Sequence, residues 1–168
     1  MSRRAVSSNK RAALAPLLLL CALLCSACAR VPPPMKIVKE TQHANGLTVG
    51  VPEGFEARQT ADGFVVEPPG GQNLRVRFPV AAGVALVKGG GVPDESSLRR
   101  KSVGGKEVSY RVTKEEGGSG GEVYTLNAFE RVAGGHVRYS QAMQSEMGEP
   151  DFQLCWTLVG STKYRESR

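Results

Sequence analysis

The stretch Gly104 to Met143 constrains this chain most, because it carries three β-strand patterns in succession, separated by glycine clusters. In Lys106–Glu115, Val108, Tyr110 and Val112 alternate with Glu107, Ser109, Arg111 and Thr113. A period of two places the apolar set on one face of a pleated strand. Glu122–Val132 repeats the alternation with Tyr124, Leu126 and Ala128 against Val123, Thr125 and Asn127. His136–Met143 does so with Val137, Tyr139 and Met143, Gln141 interrupting the apolar set. The joints are Gly117-Gly118-Ser119-Gly120-Gly121 and Ala133-Gly134-Gly135, and glycine accepts the positive φ that tight antiparallel turns use. The expectation is a meander. Its strands run up, down and up, so residues 116–121 and 144–151 are left at one end. Loops gathered at one end of a rigid scaffold commonly build a recognition surface, two plain solvent-exposed turns being the alternative.

Upstream, Leu47, Val49 and Val51 alternate with Thr48 and Gly50 before a Pro52-Glu53-Gly54 turn. Phe55–Thr60 and Phe64–Glu67 flank Ala61-Asp62-Gly63, a hairpin signal. Asn73–Val80 puts Leu74, Val76, Phe78 and Val80 on one face and Arg75 and Arg77 on the other, with Pro79 suiting an edge. Gly83–Lys88 suggests another short strand, and Leu98–Val103 is ambiguous. Near the end, Phe152, Cys155, Trp156 and Val159 fall at i, i+3, i+4 and i+7, a helical stripe with Asp151 as cap and Gly160 as stop. Phe152, Leu154, Trp156 and Leu158 would equally alternate along a strand. The helix is favoured, because a large antiparallel sheet needs a cover for its apolar face. The expected class is mainly antiparallel β (α+β): a single meandering sheet of about six to eight strands over residues 46–162 with a short C-terminal helix packed on it, residues 163–168 being a tail.

The amino terminus has a different character. Arg3, Arg4, Lys10 and Arg11 precede an uncharged, Leu- and Ala-rich run from Ala12 to Ala29, which reads as an export signal over residues 1–28. The run is short for a membrane span, which needs ~20 apolar residues. Two processing routes fit. Leu24-Cys25-Ser26-Ala27-Cys28 is similar to a bacterial lipobox, with Cys28 as the lipid anchor and Cys25 departing from the usual leucine. Ala27-Cys28-Ala29 would instead serve ordinary signal peptidase and free a chain starting at Arg30. The lipoprotein is favoured, because Arg30–Asn45, with Pro32-Pro33-Pro34, lacks a core pattern and suits a semi-extended tether over residues 29–45.

Residues 1–27 hold four of the 22 basic residues and none of the 16 acidic ones, leaving 18 against 16, a net of +2 on the remainder. The apparent basicity therefore belongs largely to the signal, and nucleic-acid binding loses its main support. Arg99-Arg100-Lys101 reads as a solvated edge. After processing Cys155 stands alone, a small hydrophobe beside Trp156 that has no disulfide partner. His43 and His136 are the two histidines, far apart and without ligand-spaced neighbours, so no metal site is expected. Gly105-Lys106 leads into a strand and does not build a phosphate loop. Gly117–Gly121 formally matches a nucleophile elbow around Ser119, but strands flank it on both sides where the elbow needs a following helix. Carboxylates gather at Glu115-Glu116 and at Glu146, Glu149 and Asp151, which ordinarily serve solubility.

Taken together, the lipobox-like signal, Asn45-Gly46-Leu47-Thr48-Val49, Pro52-Glu53-Gly54-Phe55, Thr60-Ala61-Asp62-Gly63-Phe64-Val65-Val66, Glu116–Tyr124, Gly148-Glu149-Pro150-Asp151-Phe152 and Trp156 resemble the periplasmic immunity lipoproteins of type VI secretion. That family is similar to the protector against a peptidoglycan-cleaving muramidase effector. The resemblance implies a binding protein that is not an enzyme and needs no cofactor. Its implied partner is a secreted peptidoglycan hydrolase whose cleft it fills, and its implied place is the periplasmic face of a membrane. Contact residues are then expected on the 115–122 and 144–151 loops: Glu115, Glu116, Ser119, Glu122, Glu146, Glu149 and Asp151. The alternative is an envelope lipoprotein with a PsbP-like sheet domain acting as scaffold or assembly factor.

Overall fold

The computed structural model describes residues 33–70, 80–90, 95–117 and 121–166. The signal segment with Cys28, the expected strand Asn73–Val80 apart from Val80, and Ser119 lie outside the described residues. Among those described, the order is β1 (Ile37–Gln42), β2 (Leu47–Pro52), β3 (Glu56–Gln59), β4 (Gly63–Glu67), β5 (Ala82–Lys88), β6 (Arg99–Val103), β7 (Lys106–Glu116), β8 (Glu122–Val132), β9 (Gly135–Ser145), α1 (Gln153–Ser161) and β10 (Lys163–Tyr164).

The glycine-punctuated meander forms as its alternation dictates. Val112 faces Leu126 and Tyr110 faces Ala128 across β7 and β8, and Ala128 in turn faces Tyr139 on β9. The ambiguous stretch before it is β6, antiparallel to β7. Gly104 and Gly105 both have positive φ in the turn between them, the backbone that a two-residue hairpin with the right twist requires. β9 closes on β5, giving a seven-stranded antiparallel sheet in the order β3-β4-β5-β9-β8-β7-β6. The Asp62-Gly63 turn is made, with Thr60 N–H donating to Gly63 O at 2.9 Å.

Two boundaries differ from expectation. The stretch read as tether folds from residue 37: β1 pairs with β2, and β2 with β10, in a separate three-stranded sheet. Its first pairing strand, Ile37–Gln42, exposes most of its side chains, so backbone pairing holds it and no apolar alternation betrays it. The expected tail likewise supplies β10. Residues 33 and 35 are also fastened, since Gln153 Nε2 donates to Pro33 O at 2.9 Å and Met35 N–H to Thr157 Oγ1 at 3.0 Å.

Helix α1 settles the competing periodicities at 152–159. Leu154 through Val159 are all buried, because the helix contacts β2 of the small sheet as well as β5, β6 and β9 of the large one. With every side covered, a helical stripe and a strand alternation read equally well. Gly160 lies inside the helix and does not end it; the cap is Thr162, whose N–H donates to Leu158 O. A Cβ on Gly104 would stand 3.0 Å from Gly160 Cα, so this glycine pair lets the β6–β7 turn approach the helix backbone.

Two polar residues on the core face have partners. Gln141, 2% exposed, accepts the Cys155 N–H at 3.0 Å through Oε1, satisfying one of the donors a helix start leaves open. The buried Tyr139 hydroxyl donates to Glu130 at 2.6 Å, and Lys106 closes on the same carboxylate at 2.9 Å.

Cys155 is fully buried, and burial pushes its thiol above the ordinary range. Since only the thiolate attacks, the protein from Val31 onward is expected to leave a thiol reagent unconsumed at pH 8 and to react with one equivalent once unfolded in denaturant. Rapid labelling of the native protein would contradict the packing described for α1.

Candidate functional site

The 117–121 hairpin closes through Gly117 N–H donating to Gly121 O at 2.9 Å. Gly121 has φ +90°, and a Cβ there would meet Gln144 Nε2 at 2.8 Å and Glu146 Cγ at 3.5 Å. The first hairpin is thereby packed against the strand end that leads into the 146–151 loop. Register places Glu116 opposite Glu122 and Glu122 opposite Ser145. The two expected loops therefore do share one end of the sheet.

They do not share one face. Even-numbered residues of β7 and β8 lie on the side of Val108, Leu126 and α1, which puts Lys114, Glu116, Glu122 and Tyr124 there and Glu115 on the opposite side. The carboxylates also differ in what they already hold. Glu122 is bonded by both the Lys114 ammonium and the Tyr124 hydroxyl. Those two hydrogen bonds, Lys114 first, depress the Glu122 carboxyl below its ordinary range, while the bond to Glu122 raises Lys114 and Tyr124. A depressed carboxyl keeps its partners at neutral pH and loses them as pH falls through the lowered value. Glu149 pairs with Arg99 at 3.5 Å. Asp151 Oδ1 accepts the Gln153 N–H at 3.1 Å, so it caps the helix from one position before Phe152, which takes a left-handed backbone with φ 50° and supplies no side-chain cap. Glu146 is exposed just past β9.

Two features escaped sequence reasoning, one at this end and one farther along the sheet. Met147 is 98% exposed at the tip of the 146–151 loop; the one signal for it is an apolar residue between Glu146 and Gly148. The other is a cation on an aromatic platform. Lys101 Nζ stands 4.6 Å from the Trp156 ring centroid and 6.0 Å from that of Tyr110, and the two rings meet edge to face at 5.3 Å. No local spacing links β6, β7 and α1, so this platform had no signature in the sequence.

Neither histidine lies beside the 117–121 hairpin ends. His136 is buried and lies at the far end of β9 from the 117–121 hairpin, about 30 Å away at ~3.4 Å per residue, with Nδ1 3.3 Å from Gly90 O. His43 serves the β1–β2 turn, contacting Thr60 O and the Asn45 N–H. Among the described residues no group of metal-ligating side chains comes together. A cavity of about 390 Å³ lies between Met35, Ile37, Val103, Gly104, Trp156 and Gly160, and its lining contains no acid or base that could carry proton transfer.

The chain is thus a seven-stranded antiparallel sheet backed by a helix, with charged loops and an exposed methionine at one end. The family model for the type six secretion immunity 3 domain matches residues 48–163, and the chain belongs to that family. It is 36% identical to "Immune protein Tsi3" of Pseudomonas aeruginosa over 121 residues, covering 72% of this chain and 79% of that protein. A crystal structure of a Bacteroides thetaiotaomicron protein shares the fold, with a TM-score of 0.54 at 10% identity over 78% of this chain. The present chain spans 50% of that one.

Proposed function

We propose that this is an exported immunity protein that binds a secreted cell-wall hydrolase and blocks its substrate cleft from the periplasmic side of a membrane. Membership of an immunity family carries the reading, and it favours protection over the scaffold alternative. The geometry supports the manner of binding. Loops at Glu115–Glu122 and Gln144–Asp151 protrude from one end of a sheet whose register is fixed by long antiparallel ladders, a rigid mount for a wedge. Met147 gives that wedge an apolar tip, and a flexible thioether adapts to an irregular cleft. The carboxylates of the two loops, Glu115, Glu116, Glu122, Glu146 and Glu149, supply hydrogen-bond acceptors, and Ser119 of the first loop would add a hydroxyl. The protein acts by occupancy and not by catalysis. Cys28 is the anchor in this reading, and mass spectrometry of the mature amino terminus tests it: a diacylglyceryl-cysteine start supports the anchor, and an unmodified Arg30 start removes it without touching the domain.

The binding claim is tested with the hydrolase encoded beside this chain, captured by wild type and by Glu115→Lys, Glu122→Lys and Glu149→Lys. A true hot spot costs at least ~2 kcal/mol, about thirtyfold in affinity. At least one variant is expected to reach that loss. Unchanged affinity in all three would move the interface away from this end.

A further inference from the structure

The carboxylates at the loop end raise a physical difficulty. The cleft of a glycan-cleaving hydrolase is built around a pair of carboxyl groups, and an acidic wedge would meet them with like charge. The structure reduces that conflict. Glu122 is already neutralised by Lys114, and Glu149 by Arg99. Near Glu149, but opposite Val108 and well along the sheet from Glu122, stands Lys101, for which no carboxylate among the described residues comes within ion-pair distance.

We propose that Lys101, mounted on Trp156 and Tyr110 and flanked by Arg99, is the group that engages a carboxylate in the cleft of the partner hydrolase. This deepens the proposed function and rests on it. The assignment rests on where β6 lies and on what already holds Lys101 and Arg99. Arg99 and Lys101 are two apart on β6 and so share a face, and that face is the one Trp156 covers, since Lys101 Nζ lies over its ring at 4.6 Å. β6 pairs with β7 and, among the described residues, is an edge strand of the seven-stranded sheet, so a partner can reach the pair from the side. The ammonium is held over ring faces by cation–π attraction, so its long stem is ordered before a partner arrives. Loss of side-chain freedom on binding is thereby reduced. Burial also lowers Lys101 below the ordinary lysine range, an effect that nearby Glu149 partly opposes; part of the desolvation that an interface demands has already occurred. Arg99, tied to Glu149 and 61% exposed, supplies a second cation and offsets the charge of Glu149.

The test uses the chain from Val31 onward and the neighbouring hydrolase, with affinity measured for wild type, Lys101→Met and Lys101→Arg. Methionine retains an apolar stem on Trp156 while removing the charge. The expected result is a loss of at least tenfold for Lys101→Met, recovery to within about threefold for Lys101→Arg, and an unchanged melting temperature for both. Replacing the hydrolase's two cleft carboxylates by amides should weaken wild type and leave Lys101→Met nearly unaffected, because the pair is then already broken. Wild type that binds while Lys101→Met binds equally well would overturn the proposal and leave the immunity reading intact. Wild type that does not bind the hydrolase at all would overturn both.

Discussion

Trp156→Ala is expected to lower the stability of the folded body by about 3–5 kcal/mol, the cost of removing a large aromatic side chain from a packed site. Trp156 is 5% exposed, sits in the middle of the buried run of α1, meets Tyr110 edge to face at 5.3 Å, and carries Lys101 on its outer side. Its removal deletes the apolar area, the ring pair and the cation's seat together. A domain of this size has ~5–15 kcal/mol in hand, so the variant should unfold at a much lower urea concentration with little change in slope. Trp156→Phe keeps a ring against Tyr110 and should lose less. A midpoint shift worth under ~1 kcal/mol for the alanine variant would mean that α1 is not the cover of the sheet.

The second large effect concerns address and not fold. Expressed without residues 1–30, the chain is expected to bind the purified hydrolase with wild-type affinity and yet give a cell no protection against it. Residues 33 and 35 are fastened to the folded body by Gln153 and Thr157, while a hydrolase acting on the wall can be met only by a protein on the same side of the membrane. Plating efficiency of cells carrying the truncated and full chains under hydrolase challenge measures this. Full protection by the truncated chain would place the encounter in the cytoplasm.

How far the sequence carried these conclusions depended on where each element draws its stability. β7, β8 and β9 were legible because each buries one face against the same core, which imposes period-two alternation on Val108, Tyr110, Val112, Tyr124, Leu126, Ala128, Val137 and Tyr139. β1 was not, because Ile37–Gln42 is held by backbone bonds to β2 and leaves its side chains in solvent. Gln141 broke the expected apolar alternation for a reason only the fold supplies: it bonds the first turn of a helix distant in sequence. The end at which the acidic loops gather followed from antiparallel connectivity, but the division of Glu115 from Glu116 and Glu122 between two faces required the register. Lys101 read as part of a solvated basic edge, since the rings that hold it come from β7 and α1 and no spacing along the chain joins them. The family resemblance drew on turns and loop motifs, and two of these, Asp62-Gly63 and Gly121, sit at backbone positions or contacts that a larger residue would strain.

The central claim is that this chain stops a cell-wall hydrolase by filling its cleft, and inhibition of turnover tests it most directly. Purified peptidoglycan is digested by the hydrolase encoded beside this chain while the protein from Val31 onward is titrated in. The predicted result is a linear fall in activity to near zero at one equivalent, competitive with soluble glycan fragments and shifted to higher concentration by Lys101→Met. Full hydrolase activity in the presence of a large excess of the folded protein would contradict the account.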